Sequence, residues 1–166
     1  MVFKVCFGRR DEFWAIGSQI VMAFEQTKYS HAWIEIGENV FESIWPKSRM
    51  IAKKDHHYTV AKEFMIYIDD SKASDLMHFV YKLMDRKYSL GQLAVMAFGN
   101  IIGLIGQKIS LKENFNGKSK LVCTELCARV LSEFMNVDFG ESFDTVGIND
   151  LYYECMLIEK VQGGYK

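Results

Sequence analysis

Two β-rich runs, His31-Ala32-Trp33-Ile34-Glu35-Ile36 and Asn39-Val40-Phe41-Glu42-Ser43-Ile44-Trp45, flank the dipeptide Gly37-Glu38. A two-residue loop with glycine first is the signature of a type II′ hairpin, whose first turn position requires a positive φ. That turn fixes a register: Ile36 faces Asn39, and Trp33 therefore faces Glu42. Alternate residues of a strand share a face, so Glu42 falls on the face of His31, diagonal to it, with Cβ atoms about 7 Å apart or less. Moving the turn one residue on, to Glu38-Asn39, would put Glu42 opposite Glu35, roughly 13 Å along the strand from His31. A three-residue loop would reverse the parity and separate them. With the glycine-first turn, the hairpin predicts an imidazole beside a carboxylate.

Around this hairpin the periodicity gives the remaining elements. Residues 2–7 read as a strand, broken by Gly8-Arg9-Arg10-Asp11, and Asp11 caps a helix expected over about 12–24. The mixed, basic stretch 50–60 reads as one or two short strands around Asp55-His56-His57, followed by a strand over 63–68. A helix is expected over about 72–85 and an apolar helix over about 90–105. A polar loop over 110–120 leads into a helix that begins at Cys123 and ends near Asn136. The chain closes with a short helix over 147–155 and a last strand over 156–161. Strands clustered in the middle with helices on either side predict an α+β fold. At 166 residues and 49% hydrophobic, with no linker or repeat, residues 1–166 form one domain with a single core.

Composition narrows the function classes. The net charge is −1, with acids and bases scattered, so no basic footprint points to nucleic acid. The longest apolar run, 93–105, is broken by Gly99, Asn100 and Gly103 and falls short of the roughly 20 residues a membrane span needs. It reads as a buried helix, and membrane contact is not favoured. The four cysteines, Cys6, Cys123, Cys127 and Cys155, show no disulfide framework, and the first residues read as a strand rather than a leader. Reduced thiols in a cytoplasmic setting are expected.

Cys123 opens its helix, where unpaired backbone N–H groups and the helix dipole favour a thiolate. A cysteine hydrolase also needs an imidazole to move the proton and a third group to fix that imidazole. His31 and Glu42 fill these roles if the hairpin packs beside the start of the Cys123 helix. Other candidates are weaker. Cys123 and Cys127 share a helix face and could join a histidine on zinc, but no second ligand pair is visible. His56 and His57 read as solvated loop residues, His78 as a partly buried helix residue, Arg9 and Arg10 as a solvated turn, and Tyr88 as a packing residue. No cofactor or metal is called for.

The order of these pieces resembles a known family. Tyr29-Ser30-His31-Ala32-Trp33-Ile34-Glu35-Ile36-Gly37 with Val40-Phe41-Glu42-Ser43 is similar to the histidine hairpin of the circularly permuted papain-fold amidases, the YiiX/YaeF-like branch of the NlpC-type cysteine peptidase superfamily. Leu121-Val122-Cys123-Thr124-Glu125-Leu126 resembles that branch's nucleophile helix, with Thr124 for the usual serine. Arg86-Lys87-Tyr88-Ser89-Leu90-Gly91 resembles its Y-D-x-x-G segment, with Ser89 for aspartate. Asp144 to Leu151 resembles its closing P-x-D-L helix without the proline. Histidine before cysteine in the chain is the mark of the permuted branch. The resemblance implies a papain-like core in which the Cys123 helix packs on a small antiparallel sheet or barrel carrying His31 and Glu42. It also implies a cysteine amidase or peptidase acting on a peptide or other amide, cell-wall peptides included. Two alternatives accompany it. One is a lipid acyltransferase or phospholipase of the lecithin retinol acyltransferase type, whose N-C-E-H-F motif differs from Cys123-Thr124-Glu125-Leu126. The other is a catalytically silent binding protein of the same fold.

Overall fold

The computed structural model describes residues 1–9, 22, 27–89, 120–140, 143 and 146–163. The helices expected over 12–24 and 90–105, and nearly all of the 110–120 loop, lie outside the described residues. Strands β1 (Val2–Arg9), β2 (His31–Ile36), β3 (Asn39–Ser43), β4 (Ser48–Ala52) and β5 (Thr59–Tyr67) form one antiparallel sheet in the order β4-β3-β2-β1-β5. Three helices follow among the described residues: α1 (Ala73–Lys82), α2 (Cys123–Met135) and α3 (Ile148–Gly163). A short parallel pairing joins β6 (Lys87–Tyr88) to β7 (Lys120–Leu121). The architecture is α+β, as the clustering of strands predicts. No helix of the described residues is long and apolar enough to cross a membrane.

The hairpin has the predicted register. Ile36 pairs with Asn39 and Ile34 with Phe41, Gly37 takes φ 58°, and Glu38 keeps a negative φ, the sign pattern of a II′ turn. The sheet's two faces then separate by parity. Ala32, Ile34, Ile36, Phe3, Val5, Phe7 and Phe41 lie on one face in a continuous core with Leu126, Val130 and Leu131 of α2 and Leu151 and Cys155 of α3. His31, Trp33, Glu35, Cys6, Val40 and Glu42 belong to the other face. There Cys6, Trp33 and Val40 make a smaller cluster with Ile51 and Tyr58. The β4–β5 connection, a 3₁₀ turn at Lys53–Asp55 followed by His56 and Tyr58, folds over that second face.

Gly8 is required where β1 passes under Trp33. A Cβ there would lie 2.2 Å from the Thr59 carbonyl oxygen and 2.7 Å from the indole ring. The β1–β5 ladder shifts register between Phe7 and Gly8.

The chain's last element differs from the sequence expectation. Residues 148–163 form one helix, not a short helix and a strand. Ile148, Leu151, Cys155 and Ile158 are buried at spacings of three, four and three, which only a helix brings to one side. Tyr152 locks this helix to the sheet, stacking on Tyr29 at 5.5 Å and meeting Phe7 and Phe64 edge-on. Further along, the Gln162 amide donates to the Tyr67 carbonyl and accepts from its N–H at 2.8 and 3.0 Å. A side chain of this helix thus hydrogen-bonds the end of β5.

Candidate active site

Helix α2 starts at Cys123, preceded by Val122 in an extended conformation (φ −105°, ψ 168°), and ends at Asn136 in the left-handed region. Its buried face rests on β2 and β3. The approach to Cys123 is tied down by Ser43, whose hydroxyl donates to the Leu121 carbonyl at 2.8 Å. The residue after Glu42 therefore holds the residue two before Cys123, which couples the hairpin to the helix start.

His31, Glu42 and Cys123 come together as expected. His31 Nε2 lies 2.9 Å from Glu42 Oε2, and the imidazole and the Cys123 thiol interact as hydrogen-bond and charge partners. With Nε2 engaged by the carboxylate, Nδ1 is the nitrogen left for the thiol. The sulfur also accepts from the Ala32 and Thr124 backbones. All three side chains are buried: Glu42 is wholly inaccessible and Cys123 is 8% exposed.

The charges follow from these contacts. Burial alone would lower the His31 pKa, but hydrogen bonds and charge attraction from Cys123 and Glu42 push it up to about 9. Burial would raise the Cys123 thiol, yet His31 and the Ala32 and Thr124 backbones hold it below the ordinary thiol value. Glu42 is likewise held below the usual carboxylate range, against its burial, by His31, His56 and Arg49. The site thus favours a thiolate–imidazolium pair anchored by a carboxylate. Cys127, one turn further along α2, is completely buried in apolar surroundings, which push its thiol well up. It packs.

Two members of the site are not assigned to it from the sequence, in which Arg49 is not singled out and His56, weighed as a ligand or base, reads as solvated. Arg49 donates to Glu42 Oε1 through Nε at 2.9 Å and Nη2 at 2.7 Å. The four-residue β3–β4 loop sets Arg49 directly opposite Glu42, a pairing hidden by the strand expected to run on to Trp45. His56, expected to be solvated, has a side chain only 5% exposed, with Nε2 3.4 Å from Glu42 Oε2. It is buried because the β4–β5 connection lays it on Trp33, with ring centroids 4.4 Å apart. His57 is exposed, as expected, while His78 is exposed rather than partly buried. Its position in α1 lies off the Leu76–Val80 stripe that faces the core.

The remaining candidates sort by place. Tyr88 pairs with Leu121 in the β6–β7 ladder, and burial and the nearby Cys123 charge push its phenol up. Glu35 belongs to a separate buried network: Trp33 Nε1 donates to it at 3.1 Å, and Lys53 pairs with its other oxygen. Arg9 ends β1 on the exposed surface.

Among the described residues, the one cluster with metal-binding donors is His31, Glu42 and His56, whose donor atoms lie within 4.8 Å of one another. It excludes Cys123 and Cys127, so the zinc arrangement weighed from sequence does not form. The Arg49 guanidinium already supplies a cation to the same carboxylate, and His31 is turned to the thiol. The cluster is thus a hydrogen-bonded charge network. No protein-family model matches the chain, and no curated protein matches it.

Proposed function

We propose that this protein is a cysteine hydrolase of the permuted papain-like kind, an amidase or peptidase acting through Cys123, His31 and Glu42. The observation that carries the reading is the relay itself: a helix-terminal thiol bonded to an imidazole whose far nitrogen is held at 2.9 Å by a buried carboxylate. Peptide or other amide substrates suit a thiolate already paired with its proton donor.

The Cys123 sulfur attacks the substrate carbonyl carbon, forming a C–S bond and placing the carbonyl electron pair on oxygen. The backbone N–H of Cys123, in the first helical turn where N–H groups lack intrahelical acceptors, stabilises the charge that develops there. As the tetrahedral intermediate collapses, the C–N bond breaks and His31 gives its proton to the leaving amine. His31 then takes a proton from water, whose oxygen attacks the thioester. The acid leaves, and the proton stays on the imidazole opposite the regenerated thiolate. Glu42 keeps the ring oriented throughout.

The test uses p-nitrophenyl acetate as acyl donor with the full chain. Nitrophenolate release with acetylated Cys123 in the mass spectrum is expected, and Cys123→Ala and His31→Ala should each abolish both. Turnover unchanged in Cys123→Ala, or an acetyl group found only on other residues, would sink the proposal.

A further inference from the structure

We propose that His56 is a positioning residue of this site: with Arg49 it fixes the Glu42 carboxylate, and through it the orientation of His31. The inference rests on the reading of Cys123, His31 and Glu42 as the reacting group.

The geometry carries it. Glu42 Oε1 receives both Arg49 hydrogen bonds, while Oε2 lies between two imidazoles, His31 Nε2 at 2.9 Å and His56 Nε2 at 3.4 Å. A carboxylate pinned on one oxygen can still swing the other, and His56 is a second imidazole within reach of that oxygen. The His56 ring cannot turn aside, because it packs on Trp33 at 4.4 Å and lies near-parallel to Tyr58 at 5.6 Å. The same two aromatic residues flank His31, at 5.7 and 4.3 Å. The two imidazoles are thus held by one aromatic frame, both within reach of one oxygen.

The His56 Nε2 atom has no hydrogen-bond partner of good geometry, although its side chain is 95% buried. Buried polar atoms are nearly always paired, so an unpaired ring nitrogen 3.4 Å from a carboxylate oxygen calls for an explanation. A role on Glu42 supplies one. At 3.4 Å the imidazole is within reach of Glu42 Oε2, and a small turn of either group completes the hydrogen bond and limits how far the carboxylate can drift while the His31 charge comes and goes.

The experiment measures iodoacetamide labelling of Cys123 at neutral pH, located by mass spectrometry, alongside thermal melting of the full chain. His56→Phe keeps the aromatic packing and removes the N–H; His56→Gln returns an N–H donor. Labelling in His56→Phe should fall about tenfold with melting little changed, and His56→Gln should recover most of the loss. A folded His56→Phe that labels at the wild-type rate overturns the proposal, as does a His56→Gln as slow as His56→Phe. If His56→Phe does not fold, the imidazole ¹⁵N spectra of wild type and Glu42→Gln decide: a His56 Nε2 resonance that does not move overturns it. Wild-type Cys123 labelling no faster than a free thiol would instead overturn the Cys123–His31–Glu42 reading itself.

Discussion

Glu42 shows how one side chain sets the chemistry of its neighbours. Its carboxylate is wholly buried, yet both oxygens are occupied, Oε1 by Arg49 and Oε2 by His31. A buried charge is tolerated only when it is paired and hydrogen-bonded in this way. Its negative charge, with that of Cys123, lets His31 keep a proton up to about pH 9. Glu42→Gln preserves shape and one hydrogen bond while removing the charge, so the His31 titration should move down toward the ordinary imidazole range. Less imidazolium means less thiolate, and Cys123 labelling at neutral pH should fall by about a hundredfold. An imidazole NMR titration of His31 unchanged by the substitution would refute this account. The Glu42–His31 contact was legible in the sequence because a glycine-first turn leaves a single parity. Arg49 and His56 were harder to see. The first needed the β3–β4 loop to be four residues long, and the second depends on how a connection folds across the sheet, for which no periodicity exists.

Among the elements, β1 and β2 carry the most constraint, and Gly8 marks where they meet. A methyl group at Gly8 would collide with the Thr59 backbone and with the Trp33 ring, and the backbone is the part that cannot give way. Overpacking of this kind costs about 1–3 kcal/mol, and a chain of this size loses roughly 2–4 °C per kcal/mol. Gly8→Ala should therefore melt about 2–12 °C lower. It should also label more slowly at Cys123, because Trp33 flanks His31 at 5.7 Å. Unchanged melting and labelling would show that the strands separate more easily than this packing implies. Glycine at this position reads from sequence only as a break after a strand; its close approach is tertiary. The final helix illustrates the opposite case. In residues 156–161 only Ile158 and Val161 favour a strand, and burial at Ile148, Leu151, Cys155 and Ile158 repeats with the helical period, so the longer pattern decides the element.

For the molecule as a whole, the paired charges predict an unusual dependence of stability on pH. His31 is raised in the folded state, so its contribution is fully present below its unfolded pKa, near 6.5, and is lost as pH rises to about 9. Cys123 is lowered, so its contribution is present above the unfolded thiol pKa, near 9, and is lost as pH falls toward the folded value. Between pH 6.5 and 9 the two slopes oppose each other, because folding moves one proton from sulfur to imidazole and binds almost none from solution. Below pH 6.5 the unfolded histidine also takes a proton and the histidine slope ends, while the cysteine slope lowers stability with acid until the folded thiolate is itself protonated. Glu42 adds to that fall once pH drops below the ordinary carboxylate range. Cys123→Ala removes one of the two opposing slopes. It also removes the strongest partner that raises His31, leaving Glu42 alone against burial, so the variant's stability should follow a pH profile different from the wild type's above pH 6.5. Urea unfolding of both chains from pH 5 to 9 measures the difference. A wild type and variant with parallel profiles across that range would mean that Cys123 and His31 do not share a proton in the folded protein.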